Sequence, residues 1–198
     1  MISAIVLAAG QSTRMGGENK LLLPFRGSTI LENIVDAVTR SDVVETIVVV
    51  GHQAERVREK MIGRPVKLVE NPDYAEGMGG TVKVGLRAAS TDATGYMVCL
   101  TDLPLLQAAD LDRLTEAFRS AGGERIVVPF HQGQRGNPVI FPAKYRSEVL
   151  AGRGPVAGCR GIVKRHPQAV LEVEMQTDHV VRDIDTPEQY QQLLAAAL

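Results

Sequence analysis

The chain lacks most of the features that would mark it as secreted, membrane-bound or nucleic-acid-binding. Two cysteines, Cys99 and Cys159, are too few for a disulfide framework. No apolar stretch approaches the roughly 20 residues that span a bilayer. The opening residues lack a basic segment, apolar core and cleavage site in series, so no leader is expected. Lysine and arginine number 22 against 23 aspartates and glutamates, and they are not gathered into a basic face, which argues against a nucleic-acid partner. Four histidines, His52, His131, His166 and His179, are scattered without metal-ligand spacing and are expected at the surface. Repeats, low-complexity tracts and compositional breaks are missing as well. The expectation is a reduced, cytoplasmic protein; 198 residues, 44% of them hydrophobic, suit one domain with a sizeable core.

What is present alternates strand and helix, the pattern of a mostly parallel sheet covered on both faces. Strands are expected at Ile2 to Leu7, Glu45 to Val50, Val66 to Glu70, Gly95 to Leu100, Arg125 to Phe130, Val170 to Glu174 and Val180 to Arg182. A polar turn, His131 to Gly136, followed by Pro138 to Phe141 suggests an antiparallel hairpin. Ser28 is placed to cap a helix with Ile30, Leu31, Ile34, Val35 and Val38 at helical spacing. Further helices are expected over 54–61, from Gly79 or Gly80 to Ala89, and over 110–120, 144–150 and 159–165, the last two separated by Gly152-Arg153-Gly154-Pro155. A final helix starts at Thr186-Pro187 with Gln189 completing a capping box.

The most informative stretch is AIVLAAGQSTRMGGENK, Ala4 to Lys20. A buried-type strand empties into small residues, Ala8, Ala9 and Gly10, through which backbone N–H groups can approach a ligand, and Arg14 and Lys20 add two cations beyond the turn. Backbone donors with cations suit a polyphosphate. Neither common phosphate loop is present: Lys20 is followed by Leu21 where a Walker loop needs Ser or Thr, and Gly10 is followed by Gln11, Ser12 and Thr13, so the second dinucleotide glycine is missing. Asp102, in Thr101-Asp102-Leu103-Pro104, stands at the carboxyl end of a buried strand, where open α/β sheets bind ligands. In Asp183-Ile184-Asp185 the carboxylates are two apart and can share a face, although Asp185 can equally serve the positive end of the following helix.

Leu7 to Gly27, LAAGQSTRMGGENKLLLPFRG, resembles the signature of the MobA-like nucleotidyltransferases, and within them the molybdenum-cofactor cytidylyltransferase branch. The resemblance implies a three-layer, Rossmann-like nucleotidyltransferase fold, mostly parallel with an antiparallel hairpin. It implies a single domain over 1–198 with a nucleotide half of about 1–105 and an acceptor half of about 106–198. It makes Asp102 and Asp185 ligands of Mg²⁺, with Asp183 supporting. Leu7, Ala8, Ala9, Gly10, Arg14 and Lys20 then hold the nucleotide, together with Gly79, Gly80 and Thr81 of a stretch similar to the family's G-M-x-x-S-L. Arg14, Lys20 and Asp102 carry the catalysis. Arg135 to Phe141 and Gly158 to Gly161 resemble elements at the acceptor pocket, which assigns Asn137, Pro138 and Arg160 to the acceptor; Asn137 replaces the family's His, and Gly154-Pro155 its Gly-Asp.

Ala9, where the guanylyltransferase branch has glycine, favours CTP over GTP by the same resemblance. The implied reaction joins CTP to molybdopterin, forming the cytosine dinucleotide and pyrophosphate for a recipient molybdoenzyme. A phosphate monoester is already largely dianionic at neutral pH, so no catalytic histidine is required. The alternatives are the same chemistry on a sugar or polyol phosphate, use of GTP or another NTP, and a non-catalytic cofactor carrier or nucleotide sensor.

Overall fold

The computed structural model describes residues 1–152 and 158–196; Arg153, Gly154 and Pro155 of the glycine-rich stretch lie outside them. In chain order the elements are β1 (Ile2–Ala8), β2 (Pro24–Phe25), β3 (Ser28–Thr29), α1 (Ile30–Arg40), β4 (Glu45–Val50), α2 (Ala54–Lys60), β5 (Lys67–Glu70), α3 (Met78–Ala88), β6 (Gly95–Leu100) and α4 (Ala108–Ser120). Then follow β7 (Ile126–His131), β8 (Gln134–Arg135), β9 (Val139–Pro142), α5 (Arg146–Ala151), α6 (Cys159–Arg165), β10 (Val170–Glu174) and α7 (Pro187–Ala196).

The main sheet runs β5-β4-β1-β6-β9-β7-β10 in space, with β8 on β7. β5, β4, β1 and β6 are parallel, β7 and β10 are parallel, and β9 lies antiparallel to β6 and β7. The hairpin turns at Gln132 and Gly133, both at positive φ (49° and 79°), the backbone that a two-residue turn between twisted strands demands. β1 is central and buried along its length. Its alternate side chains feed two apolar layers: Ala4, Val6 and Ala8 meet α1, α2, α4 and α7, whereas Ile5 and Leu7 meet α3, α5 and α6. That is the expected α/β sandwich of three layers. Gly85 is a packing requirement within it, because a Cβ there would stand 2.3 Å from Ile5 Cγ2.

Several local expectations need correction. Thr29, not Ser28, caps α1: its hydroxyl accepts from Glu32 N at 3.2 Å while Glu32 Oε2 accepts from Thr29 N at 2.9 Å. Ser28 sits in β3 and accepts from Asn33 Nδ2 instead. Val180 to Arg182 form no strand. The Asp178 carbonyl takes the N–H groups of Val181 and Arg182, and the Val180 carbonyl is turned onto Asn137 N at 2.9 Å. The histidines are half-buried rather than superficial, and three are tied to acceptors: His131 to the Met175 carbonyl, His166 to Glu148 and His179 to Asp110.

Candidate active site

β1, β5 and β6 release their chains at the same sheet edge, and the loops that follow them build a cavity of about 520 Å³. Leu7, Ala9, Gly10, Arg14 and Lys20 line one wall of it, with Thr81, Asp102 and Asp185. Thr101 ties the end of β6 to β1 by donating to the Leu7 carbonyl at 2.8 Å. The loop after β1 folds back on itself: the Lys20 backbone N–H donates to Ser12 Oγ at 3.2 Å and Leu21 N–H to Asn19 Oδ1 at 3.1 Å. A Cβ built on Gly10 meets nothing within 4 Å. Packing does not require glycine there; close approach of a ligand would.

The two aspartates come from chain segments some 80 residues apart, and backbone pairing joins them. Gly136 leaves room for Val180, whose carbonyl a Cβ would approach to 2.4 Å, and this anchors the C-terminal segment against the hairpin. Beyond it, Ile184 N–H donates to the Asp102 carbonyl at 2.8 Å. The Lys20 ammonium closes the arrangement, at 2.8 Å from the Ile184 carbonyl, 3.0 Å from Asp185 Oδ1 and 3.9 Å from Asp102 Oδ2. Arg14 pairs with the other oxygen of Asp185 at 2.8 Å. Gln189 Oε1 receives the N–H groups of Asp185 and Thr186 at 2.6 and 3.0 Å, and Gln189 N–H donates to Thr186 Oγ1 at 3.3 Å, so the expected capping box also steadies Asp185. Arg14 and Lys20, expected on phosphates, therefore neutralise Asp185. Asp183 is exposed and does not line the cavity.

Asp102 Oδ1 is buried and has no hydrogen-bond partner among the described residues. Burial raises the Asp102 carboxyl above the usual carboxylate range; Lys20 opposes that shift, and the charges of Asp185 and Asp183 add to it. Two carboxylates from separate elements, one oxygen of them unpaired, fit a hard divalent cation that completes its shell with water and phosphate oxygens. Among the described residues no group of three or more His, Cys, Asp or Glu could hold a metal, so an all-protein cage of such ligands is not available.

A second cavity of about 760 Å³ adjoins the first, sharing Gly77, Met78 and Leu100 with it. Gly77 adopts φ 110° as it opens α3, a conformation that favours glycine. Gly79 and Gly80, expected on the nucleotide, line this second cavity, whereas Thr81 lines the first. Helical periodicity explains the split, because successive residues of the first turn of α3 face different directions. Asn137 and Arg160, expected on the acceptor, line the second cavity. Pro138 is buried and lines neither, and Ala8 points into the apolar layer beneath β1.

Arg135 and Cys159, which the sequence places in acceptor-pocket elements without giving either a role, line the second cavity; sequence reasoning missed Lys83 there and Tyr74 in the first. Lys83 reaches the Gly152 carbonyl. Burial pushes the Cys159 thiol up to about 12, so its sulfur is neutral at physiological pH. Tyr74 packs against Gly51, where a Cβ would come 2.7 Å from Tyr74 Cβ, a contact that no sequence pattern marks.

The sequence from residue 4 to residue 170 matches the family described as the MobA-like NTP transferase domain. Among curated proteins, the chain is 29% identical to nicotine blue oxidoreductase of Paenarthrobacter nicotinovorans, over 98% of this chain and 96% of that one. It is 27% identical to the molybdenum cofactor cytidylyltransferase of Escherichia coli K12 (96% and 93%) and 29% identical to the molybdenum cofactor guanylyltransferase of Vibrio atlanticus (96% and 94%). Among solved structures, a nucleotidyl transferase from Methanothermobacter superposes with TM-score 0.83 at 26% identity, covering 100% of this chain and 97% of the other. Rv0371c of Mycobacterium tuberculosis in complex with manganese gives 0.77 at 27% identity, covering 98% of each. No helix among the described residues is long and apolar enough to cross a membrane.

Proposed function

The chain belongs to the MobA-like NTP transferase family and is a nucleotidyltransferase, and from that premise we propose that it transfers a cytidylyl group from CTP to the phosphate of molybdopterin. The observation that carries this reading is the convergence of Arg14, Lys20, Asp102 and Asp185 on one cavity that opens into a second. Leu7, Ala9 and Gly10 border the nucleotide, and Arg14 and Lys20 leave Asp185 for the β- and γ-phosphates. Asp102 and Asp185 hold Mg²⁺, which when bound supplies charge neutralisation at the phosphates. The acceptor enters beside Asn137 and Arg160. One of its phosphate oxygens forms a bond to the α-phosphorus, the bond from that phosphorus to the bridging oxygen breaks, and pyrophosphate leaves with the electron pair. Such transfer rests on positioning and charge stabilisation.

The chain then acts as one domain, residues to about 105 supplying most of the nucleotide cavity and sharing the acceptor cavity, through Gly79, Gly80 and Lys83, with the later residues, and with Asp185 returned to the nucleotide side. Its setting is the cytoplasm, and a molybdoenzyme receives the product. CTP is preferred because Ala9 stands where the guanylyltransferase branch has glycine; relatives named for each activity are similarly distant. The relative named as an oxidoreductase supports a second reading, redox chemistry on the same scaffold. One assay separates the readings. Purified protein with Mg²⁺ and molybdopterin is given CTP, GTP, ATP or UTP, and pyrophosphate is measured. Release with CTP at least about tenfold faster than with the others is expected, a gap of about 1.4 kcal/mol. No release with any nucleotide would defeat the reading.

A further inference from the structure

The segment that carries Asp185 is not a strand, so no ladder of backbone bonds holds it. It is pinned to the rest of the fold at separate points instead. Ile184 N–H donates to the Asp102 carbonyl at 2.8 Å, and the Val180 carbonyl accepts from Asn137 N–H at 2.9 Å. A further pin is made of side chains. His179 Nδ1 donates to Asp110 Oδ2 at 2.8 Å, and Thr177 Oγ1 donates to Asp110 Oδ1 at 3.3 Å. A carboxylate oxygen offers only lone pairs there, so Nδ1 bears a proton whichever charge the ring carries. The His179 and Asp110 side chains are only 18% and 12% exposed, which shields their contact from competing water.

Asp110 belongs to the first turn of α4, and its Oδ2 also accepts from Gln107 N–H at 3.0 Å. That turn continues the chain that leaves β6 through Asp102. Stretches 102–110 and 177–184 are thus joined at one end by the Asp102–Ile184 bond and at the other by Asp110 with Thr177 and His179. Neither His179 nor Asp110 lines the nucleotide or acceptor cavity. Resting on the reading of Asp102 and Asp185 as metal ligands, we propose that His179 and Asp110 are positioning residues that set Asp185 against Asp102 for a divalent cation. Mg²⁺ demands near-ideal octahedral geometry at about 2.0–2.1 Å, so its carboxylates must be held closely in place. A misplacement of about 1 Å caused far from the chemistry can cost about 10²-fold. With the distant pin gone, the Ile184 bond bears the segment's motion and opens more often, and Asp185 moves with it.

The test pairs amide hydrogen exchange in the full-length protein without ligands with Mn²⁺ binding, read by paramagnetic resonance with CTP present. Both are measured well below the unfolding temperature. His179→Phe keeps a ring but removes the Nδ1 donor. It should speed exchange of the Ile184 amide at least about tenfold and weaken Mn²⁺ binding about fivefold. The Asn71 amide, which donates to the Val50 carbonyl at 2.9 Å, should keep its rate. His179→Asn puts an amide N–H close to the place of Nδ1 and should restore both values. A merely structural role would raise the Ile184 and Asn71 rates together and leave Mn²⁺ affinity alone. That result, or an unchanged Ile184 rate, would overturn the proposal. If His179→Phe fails to fold, Thr177→Val, which removes the other donor to Asp110, decides in its place, with changes of about two- to threefold in the same directions. Failure of the unaltered protein to bind Mn²⁺ with CTP would instead overturn the proposed function, and this inference with it.

Discussion

In the first cavity cations and carboxylates are matched: Arg14 lies 2.8 Å from Asp185, and Lys20 lies between Asp185 and Asp102. In the second, Arg135 and Arg160 share a wall, and neither has an ion pair among the described residues. Partial desolvation at the cavity wall, and then the charge of Arg160, hold the exposed Arg135 guanidinium below its ordinary value. Binding in the first cavity is therefore an exchange of partners: a triphosphate takes the cations and a divalent ion takes the carboxylates, so neither ligand leaves a bare charge behind. Binding in the second adds an anion where positive charge is in excess, which favours capture of an anionic acceptor at range. Internal pairing gives the first cavity a defined geometry; unmatched charge gives the second a field.

The sharpest way to break this contrast is at Asp102. Asp102→Ala should lower kcat at least about 10²-fold, as when a main charge stabiliser is removed; single-turnover kinetics would measure it, and a smaller loss would take Asp102 out of the chemistry. Asp102→Asn should lose activity similarly yet make the protein more stable. A carboxyl whose folded pKa is raised contributes stability below the unfolded value, near 3.8, and loses it as pH rises through the folded value. At pH 7 without added metal the ionised, partnerless Oδ1 is a cost. Its removal should raise Tm by about 2–4 °C for each kcal/mol recovered. The gain should vanish at acid pH, where the natural carboxyl is already neutral.

Next in size is Lys20. Lys20→Ala should weaken CTP binding about tenfold, as expected for the loss of a strong charge-assisted contact. The same variant should bind Mn²⁺ alone more tightly, because the ammonium no longer competes for Asp185. Calorimetry with CTP and paramagnetic resonance with Mn²⁺ would read the two effects. Opposite signs sharpen the idea of partner exchange, and a parallel loss would break it.

Much of the first cavity was legible from sequence because its residues follow one strand and one turn. The β-branched run to Leu7, the small residues after it and the cations at 14 and 20 are local neighbours. The pairing of Asp102 with Asp185 was harder to see, since it depends on a hydrogen bond between Ile184 and Asp102 across 82 positions, and resemblance rather than periodicity pointed to it. That Gly79 and Gly80 line the second cavity while Thr81 lines the first was not legible, because a glycine pattern does not show which way each residue of a first turn faces. Val180 to Arg182 read as a strand from its valines, yet close approach at Gly136 captures the Val180 backbone. Arg135 lay within a stretch resembling an acceptor-pocket element but drew no role of its own, because the β-hairpin that delivers its side chain to the second cavity is not visible in the motif.

The smallest expected effect lies in the second cavity. Arg135 and Arg160 are exposed, so water and salt screen whatever they contribute, and exposed charge contacts are worth only about 0.2–1 kcal/mol. Arg160→Gln should therefore raise the acceptor KM about two- to fivefold and leave CTP affinity unchanged. Arg135→Gln should act similarly. The double variant should cost less than the product of the two, since removing either arginine relieves the repulsion felt by the other. The single effects should shrink further at high ionic strength. Steady-state kinetics at low and high salt would read all of this; a change in CTP affinity, or a salt-independent loss, would show that the two cavities do not divide charge between matched and unmatched groups.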